Sequence, residues 1–169
     1  MAYPDINTIH SIISNKDKQS EIFSFFYPAF PRFFKNYEAI CEAVKKLNTN
    51  AINNFQVFLT INGTENRYSK YIYNKYKDIK SLSFIGLQSR DMVYEYYSKV
   101  DCLIFPSKLE TWGIPITEFK DFNKPILLAD EKYAHETIGE YDKVIFFNPD
   151  NHKSLSEIMK KLMHSNPPP

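Results

Sequence analysis

Six short apolar runs, separated by stretches with helical periodicity, constrain the fold of this chain more than any other feature. The runs are predicted to be strands and cover residues 21–27, 55–61, 81–85, 101–105, 124–129 and 144–147. They are mostly apolar at consecutive positions, which is typical of strands buried on both faces of a parallel sheet. The sequence therefore predicts a Rossmann-like α/β fold with three layers, α/β/α, and a parallel sheet of about six strands.

The chain has 169 residues, of which 43% are hydrophobic. This is enough for one hydrophobic core and small for two. We expect one folded domain over residues 21–166. A polar lead-in segment over residues 1–20 precedes it, and a tail of prolines over residues 167–169 follows it.

Charge and cysteine usage exclude several classes of function. A formal net charge of +1 argues against a nucleic-acid partner held by the charge of the whole molecule. Cys41, Cys102 and the 4 histidines, His135 among them, show no metal-ligand spacing, so neither a metal site nor a disulfide is expected. We expect a cytoplasmic protein, because the sequence has neither a membrane-spanning run nor a signal-peptide pattern.

One loop has the spacing and residue types of a ligand site. It spans residues 110–118, between the fourth predicted strand and a helix. Such a loop lies at the carboxyl edge of a parallel sheet, where open α/β folds bind ligands. Gly113 lets a ligand approach the backbone. The free amides from Trp112 to Thr117, which include those of Gly113 and Ile114, are therefore expected to face an anion.

Two glutamates at this loop are candidates for binding hydroxyl groups. Glu110 precedes the helix, and Glu118 lies about one turn into it. A carboxylate only accepts hydrogen bonds, so a glutamate beside an anion site is best explained if it binds hydroxyl groups of the ligand. These would be the hydroxyls of a sugar for Glu110 and of a ribose for Glu118. The pair indicates a sugar nucleotide. The alternative is two solvated glutamates.

Further candidates lie upstream. Lys35 opens the predicted first helix, where a cation opposes the helix dipole, and Arg32 adds a second positive charge nearby. An anion bound between them would remove the conflict. The alternative is that both are solvated loop charges. Gly86, at the end of the third predicted strand, allows close approach of other groups to the backbone.

Taken together, these stretches resemble the retaining glycosyltransferases of family 4, the group 1 type with the GT-B architecture. The resemblance includes the family's motif of two glutamates separated by seven residues, at Glu110 and Glu118. Several short motifs also occur in the family's order, at residues 84–86, 106–107, 113–115, 124–126 and 136–138. Order and spacing hold from about residue 25 to residue 149.

The resemblance implies that the chain is the carboxyl-terminal, donor-binding half of an enzyme whose acceptor-binding domain precedes residue 1. Such an enzyme transfers a sugar from a nucleotide diphosphate to a glycan or lipid-linked acceptor with retention, in surface polysaccharide synthesis. Glu110 would be the catalytic residue that holds the sugar. Lys35 and Arg32 would contact the diphosphate, together with the amides near Gly113, and Glu118 would bind ribose.

Further expectations follow from the same resemblance. The loop from Gly86 to Ser89 would border the nucleobase, and cationic groups would take the role of a metal, so no metal or cofactor is expected. The family's usual Gly-Arg before the lysine is absent, and Arg32 in a Pro-Arg loop would replace it. The isolated domain would be inactive, and the full enzyme could associate peripherally with a membrane.

A non-catalytic α/β regulatory module that binds a nucleotide or phosphate is the alternative function. A receiver-type module would need clustered aspartates at the ends of the first strands, and residues 25–28 do not supply them.

Overall fold

A sheet of six parallel strands, in the order β3-β2-β1-β4-β5-β6, forms the centre of the molecule. The computed structural model describes residues 22–165, so the predicted lead-in and tail lie outside the described residues. The strands are β1 (Phe23–Tyr27), β2 (Phe55–Leu59), β3 (Leu82–Phe84), β4 (Cys102–Phe105), β5 (Ile126–Ala129) and β6 (Val144–Phe147). The predicted fold class is confirmed.

Six helices connect and cover the strands, and a 3-10 turn over Phe33–Lys35 precedes the first of them. The helices are α1 (Tyr37–Thr49), α2 (Arg67–Tyr76), α3 (Arg90–Lys99), α4 (Ile114–Lys120), α5 (Lys132–Ile138) and α6 (His152–Ser165). Ser89 caps α3, because its hydroxyl accepts from the amide of Met92 over 3.2 Å.

Helices lie on both faces of the sheet. Consecutive residues of a strand point to opposite faces. Phe26 stacks on Tyr96 of α3 with ring centroids 4.9 Å apart, and Tyr27 packs on Tyr37 of α1 at 4.8 Å. Helices α2 and α6 contact α1, whereas α4 packs against α3 and α5. The result is a three-layer structure with its core on both sides of β1 and β4.

The strand order reverses between β1 and β4. The chain builds β1, β2 and β3 in one direction and then returns to place β4 against the free side of β1, with Phe25 opposite Cys102. Loops leaving β1 and β4 therefore continue to opposite faces and leave a crevice at the carboxyl edge between them. The first loop contains Lys35 and the second contains Glu110.

Several predicted details were wrong. The first helix begins at Tyr37 and not at Lys35, because Asn36 has a left-handed backbone with φ 58°. The helical spacing of Tyr71 with Tyr68 and Tyr76 predicts that it lies on the packed face of α2, but its side chain is 53% exposed. Strand β5 begins at Ile126 rather than at residue 124, because Pro125 has no N–H to donate to the sheet.

Other predictions were inexact at helix ends. The spacing of Phe122 from Ile116 and Phe119 predicts one shared helical face, but Phe122 follows the end of α4 and is half-buried. Helix α5 begins before His135, at Lys132.

Cys41 and Cys102 are buried free thiols. Within residues 22–165, no helix combines the length and apolar character that crossing a membrane requires.

The burial of two tyrosines leads us to predict that the protein loses stability at alkaline pH. Burial raises the pKa of Tyr27 and of Tyr37 above the ordinary value of about 10. Folding thus favours the neutral phenols, and the stability they contribute is present below pH 10 and lost as pH rises above it. We expect the free energy of unfolding to fall there by about 1.4 kcal/mol per pH unit for each tyrosine that stays neutral.

Urea unfolding followed by circular dichroism, from neutral to alkaline pH, measures this slope. A variant carrying Tyr27→Phe and Tyr37→Phe is the comparison, since it removes both phenols. Its slope should be shallower, and an identical slope would show that these two groups do not set the pH dependence.

Candidate functional site

Hydrogen bonds join the loop after β1 to the loop after β4 at the carboxyl edge of the sheet. The amide of Lys108 donates to the carbonyl of Phe34 over 2.8 Å. The hydroxyl of Ser107 donates to the same carbonyl over 3.4 Å. The side-chain amide of Asn36 donates to the carbonyl of Pro106 over 3.1 Å. The two loops are therefore held in a fixed relation.

Asn36 connects a third loop to this pair. Its side chain, which is buried, also donates to the carbonyl of Pro149, after β6, over 3.0 Å. Its left-handed backbone ends the 3-10 turn of Phe33–Lys35 before α1 begins. Asparagine adopts this conformation more readily than most residues. This role of Asn36 was not predicted from the sequence.

The connected loops bring Lys35 and Glu110 together. The two residues are 75 positions apart in sequence, and the Lys35 ammonium forms an ion pair with Oε1 of Glu110. Only 16% of the lysine side chain and 12% of the glutamate side chain are exposed. The Tyr27 hydroxyl holds the backbone of Lys35 by donating to its carbonyl over 2.8 Å. Because the pair is mostly buried, solvent screens it less than a surface pair.

Glu118 lies on α4 and points to α3. Its Oε2 accepts from the hydroxyl of Tyr94 over 2.6 Å and lies 3.1 Å from the guanidinium of Arg90. Its Oε1 accepts from the hydroxyl of Tyr97 over 3.2 Å. The sequence analysis named none of these three partners. Their spacing along α3, one turn apart, was the available signal.

In the loop from Trp112 to Ile114, the backbone of Gly113 is buried, and the side chain of Ile116 approaches it. Gly113 has φ +84°, and a Cβ there would lie 2.9 Å from Cδ1 of Ile116. Pro115 is in the first turn of α4 as predicted. Trp112 and Ile114 have exposed side chains, and the Trp112 indole N–H donates to the Thr117 hydroxyl over 2.9 Å.

One part of the expected anion site was wrong. The amide of Ile116 is not free, because it donates to the carbonyl of Gly113 over 3.0 Å inside the first turn of α4. The free amides expected from Trp112 to Thr117 are therefore fewer than the sequence analysis assumed.

Gly86 and Arg32 lie in other parts of this edge. A Cβ at Gly86, where φ is +76°, would lie 2.8 Å from the Nδ2 of Asn62, so the group that approaches this backbone is the Asn62 side chain. The guanidinium of exposed Arg32 lies 4.5 Å from the ring centroid of Phe30. The structure thus brings Lys35 and Glu110 into contact, and it places Arg32 on a neighbouring aromatic ring instead.

Large exposed apolar side chains surround these loops. They follow β1, β3 and β4 at the carboxyl edge and are Phe30, Phe33, Leu87, Leu109, Trp112 and Ile114. Exposed apolar clusters of this kind mark surfaces that contact a ligand or another protein domain. Among residues 22–165, no group of three or more His, Cys, Asp or Glu side chains could hold a metal ion.

Comparison with known proteins decides the family. The model of the family described as glycosyl transferases group 1 matches residues 8–169. The chain belongs to the group 1 glycosyltransferases. The O-antigen chain mannosyltransferase of Salmonella typhimurium is 33% identical over 66 residues, which are 39% of this chain and 18% of that protein. This chain therefore spans a minor part of that relative.

Solved glycosyltransferase structures share the fold at low identity. The Anabaena protein HepE, in complex with UDP-glucose, has a TM-score of 0.75 at 14% identity, over 98% of this chain and 44% of that one. WaaG, a glycosyltransferase involved in lipopolysaccharide biosynthesis, has a TM-score of 0.70 at 21% identity, over the same two shares, 98% and 44%. The catalytic domain of the cholesterol-alpha-glucosyltransferase of Helicobacter pylori has a TM-score of 0.69 at 15% identity, over 85% of this chain and 87% of that one. The fold of this chain is therefore the Rossmann-like fold of the GT-B glycosyltransferases.

Replacing Asn36 tests whether its amide holds the loops together. In Asn36→Gly the backbone conformation stays accessible, but the buried carbonyls of Pro106 and Pro149 lose their donor. We expect the free energy of unfolding to fall by about 2–4 kcal/mol, because a buried carbonyl without a donor costs about 1–3 kcal/mol. Denaturant unfolding measures the loss.

Asn123→Gly is the matched control, since Asn123 has a similar backbone, φ 53°, and an exposed side chain. Its stability should change by less than about 1 kcal/mol. Equal losses in the two variants would mean that the amide of Asn36 has no special structural role.

Proposed function

We propose that this chain is the donor-binding domain of a retaining glycosyltransferase, which binds a nucleotide diphosphate sugar at the carboxyl edge of the sheet. The observation that carries the proposal is the ion pair of Lys35 and Glu110 at the point where the strand order reverses. Ligands of open α/β sheets bind at such points. Glu118, on the helix that follows the Glu110 loop, supplies the second carboxylate.

Lys35 has the chemistry to bind the diphosphate. An ammonium group carries three donors, and the ion pair with Glu110 occupies one of them. The remaining donors are available to phosphate oxygens. Arg32 lies on the same loop and adds a cation near the opening once it leaves the Phe30 ring.

Glu110 has the chemistry to hold the sugar. Its Oε1 accepts from Lys35, which leaves Oε2 as an acceptor for sugar hydroxyls. A sugar diphosphate would thus place an anion beside the lysine and hydroxyl donors beside the glutamate. We assign the ribose to Glu118 and the nucleobase to the loop from Gly86 to Ser89. We also assign the loop of Gly113, where the side chains of Trp112 and Ile114 are exposed, to the border of the diphosphate.

In the reaction, the bond between the anomeric carbon and the departing phosphate oxygen breaks, and a bond forms from that carbon to the acceptor oxygen. Negative charge grows on the departing diphosphate, and the acceptor hydroxyl passes its proton to a phosphate oxygen of that group. Lys35 stabilises that charge by electrostatic interaction at the leaving group. Glu110 orients the sugar, and retention at the anomeric carbon follows from the resemblance to family 4.

The relatives support a nucleotide-sugar donor and a surface polysaccharide product. The Anabaena structure contains UDP-glucose, and two other relatives are named for O-antigen and lipopolysaccharide synthesis. The chain spans 44% of two of these structures, so we assign acceptor binding to an additional, amino-terminal domain. The exposed apolar side chains around the site fit closure by such a domain. We expect a cytoplasmic enzyme that needs no metal and can associate peripherally with a membrane.

Titration of the chain with UDP, GDP and ADP by calorimetry tests the donor site. We expect one of the three to bind measurably. Lys35→Ala removes the cation for the phosphates and Glu118→Ala removes the ribose acceptor, so each should weaken binding by about tenfold or more, which is about 1.4 kcal/mol.

Lys80→Ala and Glu157→Ala are controls of the same type at exposed positions outside the site, near β3 and on α6. They should leave binding unchanged. Undiminished binding in both site variants would remove the basis for this site.

Because we assign acceptor binding to a further domain, we expect that this chain alone transfers no sugar. Incubation of the pure chain with labelled nucleotide sugar and lipid-linked acceptor should give no product, although the nucleotide binds. Turnover by the pure chain would show that no further domain is needed.

A further inference from the structure

We propose that the outer face of helices α1, α2 and α6 binds the surface of a membrane that contains anionic phospholipids. This face belongs to one helical layer and is separate from the donor site at the carboxyl edge. The proposal rests on the proposed function only for the peripheral association with a membrane, to which it gives a place on the molecule and a lipid chemistry.

Charge is divided unevenly between the two helical layers. Helix α1 contacts both α2 and α6, so these three helices cover one face of the sheet. They contain eight Lys or Arg residues and three Glu residues, a formal net charge of +5. Helices α3, α4 and α5 on the other face contain four residues of each sign. A chain with a net charge of +1 thus has one strongly basic layer.

The cations of this layer point away from the sheet. Seven of the eight are exposed and form what we call the basic face: Lys45, Arg67, Lys70, Lys75, Lys153, Lys160 and Lys161. Of the three glutamates, only Glu157 is exposed. Glu42 and Glu38 are half-buried, and they accept hydrogen bonds from the hydroxyls of Tyr76 and Tyr68. The outer surface is therefore more basic than the composition of the helices indicates.

Helix stability does not explain this arrangement. Lys75 lies in the last turn of α2, where a cation is favourable. Arg67 and Lys153 lie in the first turns of α2 and α6, where a cation opposes the helix dipole, and neither turn contains an acidic residue. Within residues 22–165, Lys75 is the only cation of the basic face in an ion pair, at 3.8 Å from Glu42. The other cations are available to an external anion.

The form of the surface favours a bilayer as the anion. Three helices packed side by side on a sheet present a broad surface, which matches a planar array of phosphate groups. Tyr71 is 53% exposed on the basic face, with its hydroxyl 3.4 Å from the ammonium of Lys75. Tyrosine is enriched at the level of lipid headgroups, because its ring is apolar and its hydroxyl is polar.

This orientation has a consequence for the reaction. The basic face is parallel to the sheet, whereas the crevice between β1 and β4 opens at the carboxyl edge. A bilayer on the basic face is then parallel to the strands, and the crevice opens along the membrane surface. A lipid-linked acceptor can approach it sideways without leaving the bilayer.

Cosedimentation of the chain with vesicles tests the proposal. One set contains equal amounts of phosphatidylglycerol and phosphatidylcholine, and the other contains phosphatidylcholine alone. We expect binding to the anionic vesicles only. Added salt should weaken it, because salt screens exposed charges.

A variant carrying Lys70→Gln and Lys161→Gln removes one cation from α2 and one from α6. Each Lys or Arg near an anionic bilayer strengthens binding by roughly fivefold, so the variant should bind at least about tenfold more weakly. Both residues are exposed, and nucleotide binding should be unchanged.

A variant carrying Lys132→Gln and Lys143→Gln is the matched control. Both residues are exposed, and they lie on the side of the other layer, in α5 and next to Asn123, whose carbonyl accepts from Lys143 over 2.9 Å. The loss of net charge is the same, but vesicle binding should change by less than about twofold. Equal weakening in the two variants would overturn the assignment to the basic face.

The remaining outcomes separate a membrane from other anions and this proposal from the proposed function. Absence of binding to anionic vesicles, equal binding to both kinds of vesicle, or tighter binding to poly(U) RNA than to vesicles would overturn the proposal. Lys35→Ala should bind vesicles as well as the unmodified chain does. If nucleotide binds and vesicles do not, only this proposal fails. If vesicles bind and no nucleoside diphosphate does, only the donor site fails.

Discussion

The side-chain amide of Asn36 is the interaction on which the rest of the site depends. It donates to carbonyls in the loops after β4 and β6, while its left-handed backbone separates the 3-10 turn from α1. Lys35 is the residue directly before it, so its position follows from these bonds. The contacts among the three loops thus fix the backbone of Lys35, and its ammonium reaches Glu110 from there. A mostly buried ion pair requires such a fixed geometry, because desolvation of the two charges is costly.

The order of the strands explains why the pair forms at all. Because β1 and β4 are neighbours, loops that are far apart in sequence begin side by side at one edge. The loop after β1 supplies the cation, and the loop after β4 supplies the carboxylate that pairs with it. Glu118 then depends on α3, which crosses from β3 to β4 and presents Tyr94 and Tyr97 to it. Three connections of one sheet thus build the site.

The fold and part of the site could be predicted from the sequence, for different reasons. Continuous apolar runs require burial on both faces, and this fixes a parallel sheet without knowledge of any single contact. The approach of Lys35 to Glu110 follows from where their loops begin. The conformation of Asn36 could not be predicted, because it depends on carbonyls 70 and 113 positions away. The partners of Glu118 depend on how the side chains of α3 and α4 pack, which the sequence pattern does not show. The position of Arg32 on the Phe30 ring depends on the conformation of a loop, which the pattern does not show either.

A crystal structure of the chain with a bound nucleoside diphosphate sugar tests the central claim most directly. We expect a phosphate oxygen within hydrogen-bond distance of the Lys35 ammonium, a sugar hydroxyl on Glu110 and a ribose hydroxyl on Glu118. A nucleotide bound away from the crevice between β1 and β4, with the Lys35 and Glu110 pair unchanged, would contradict it.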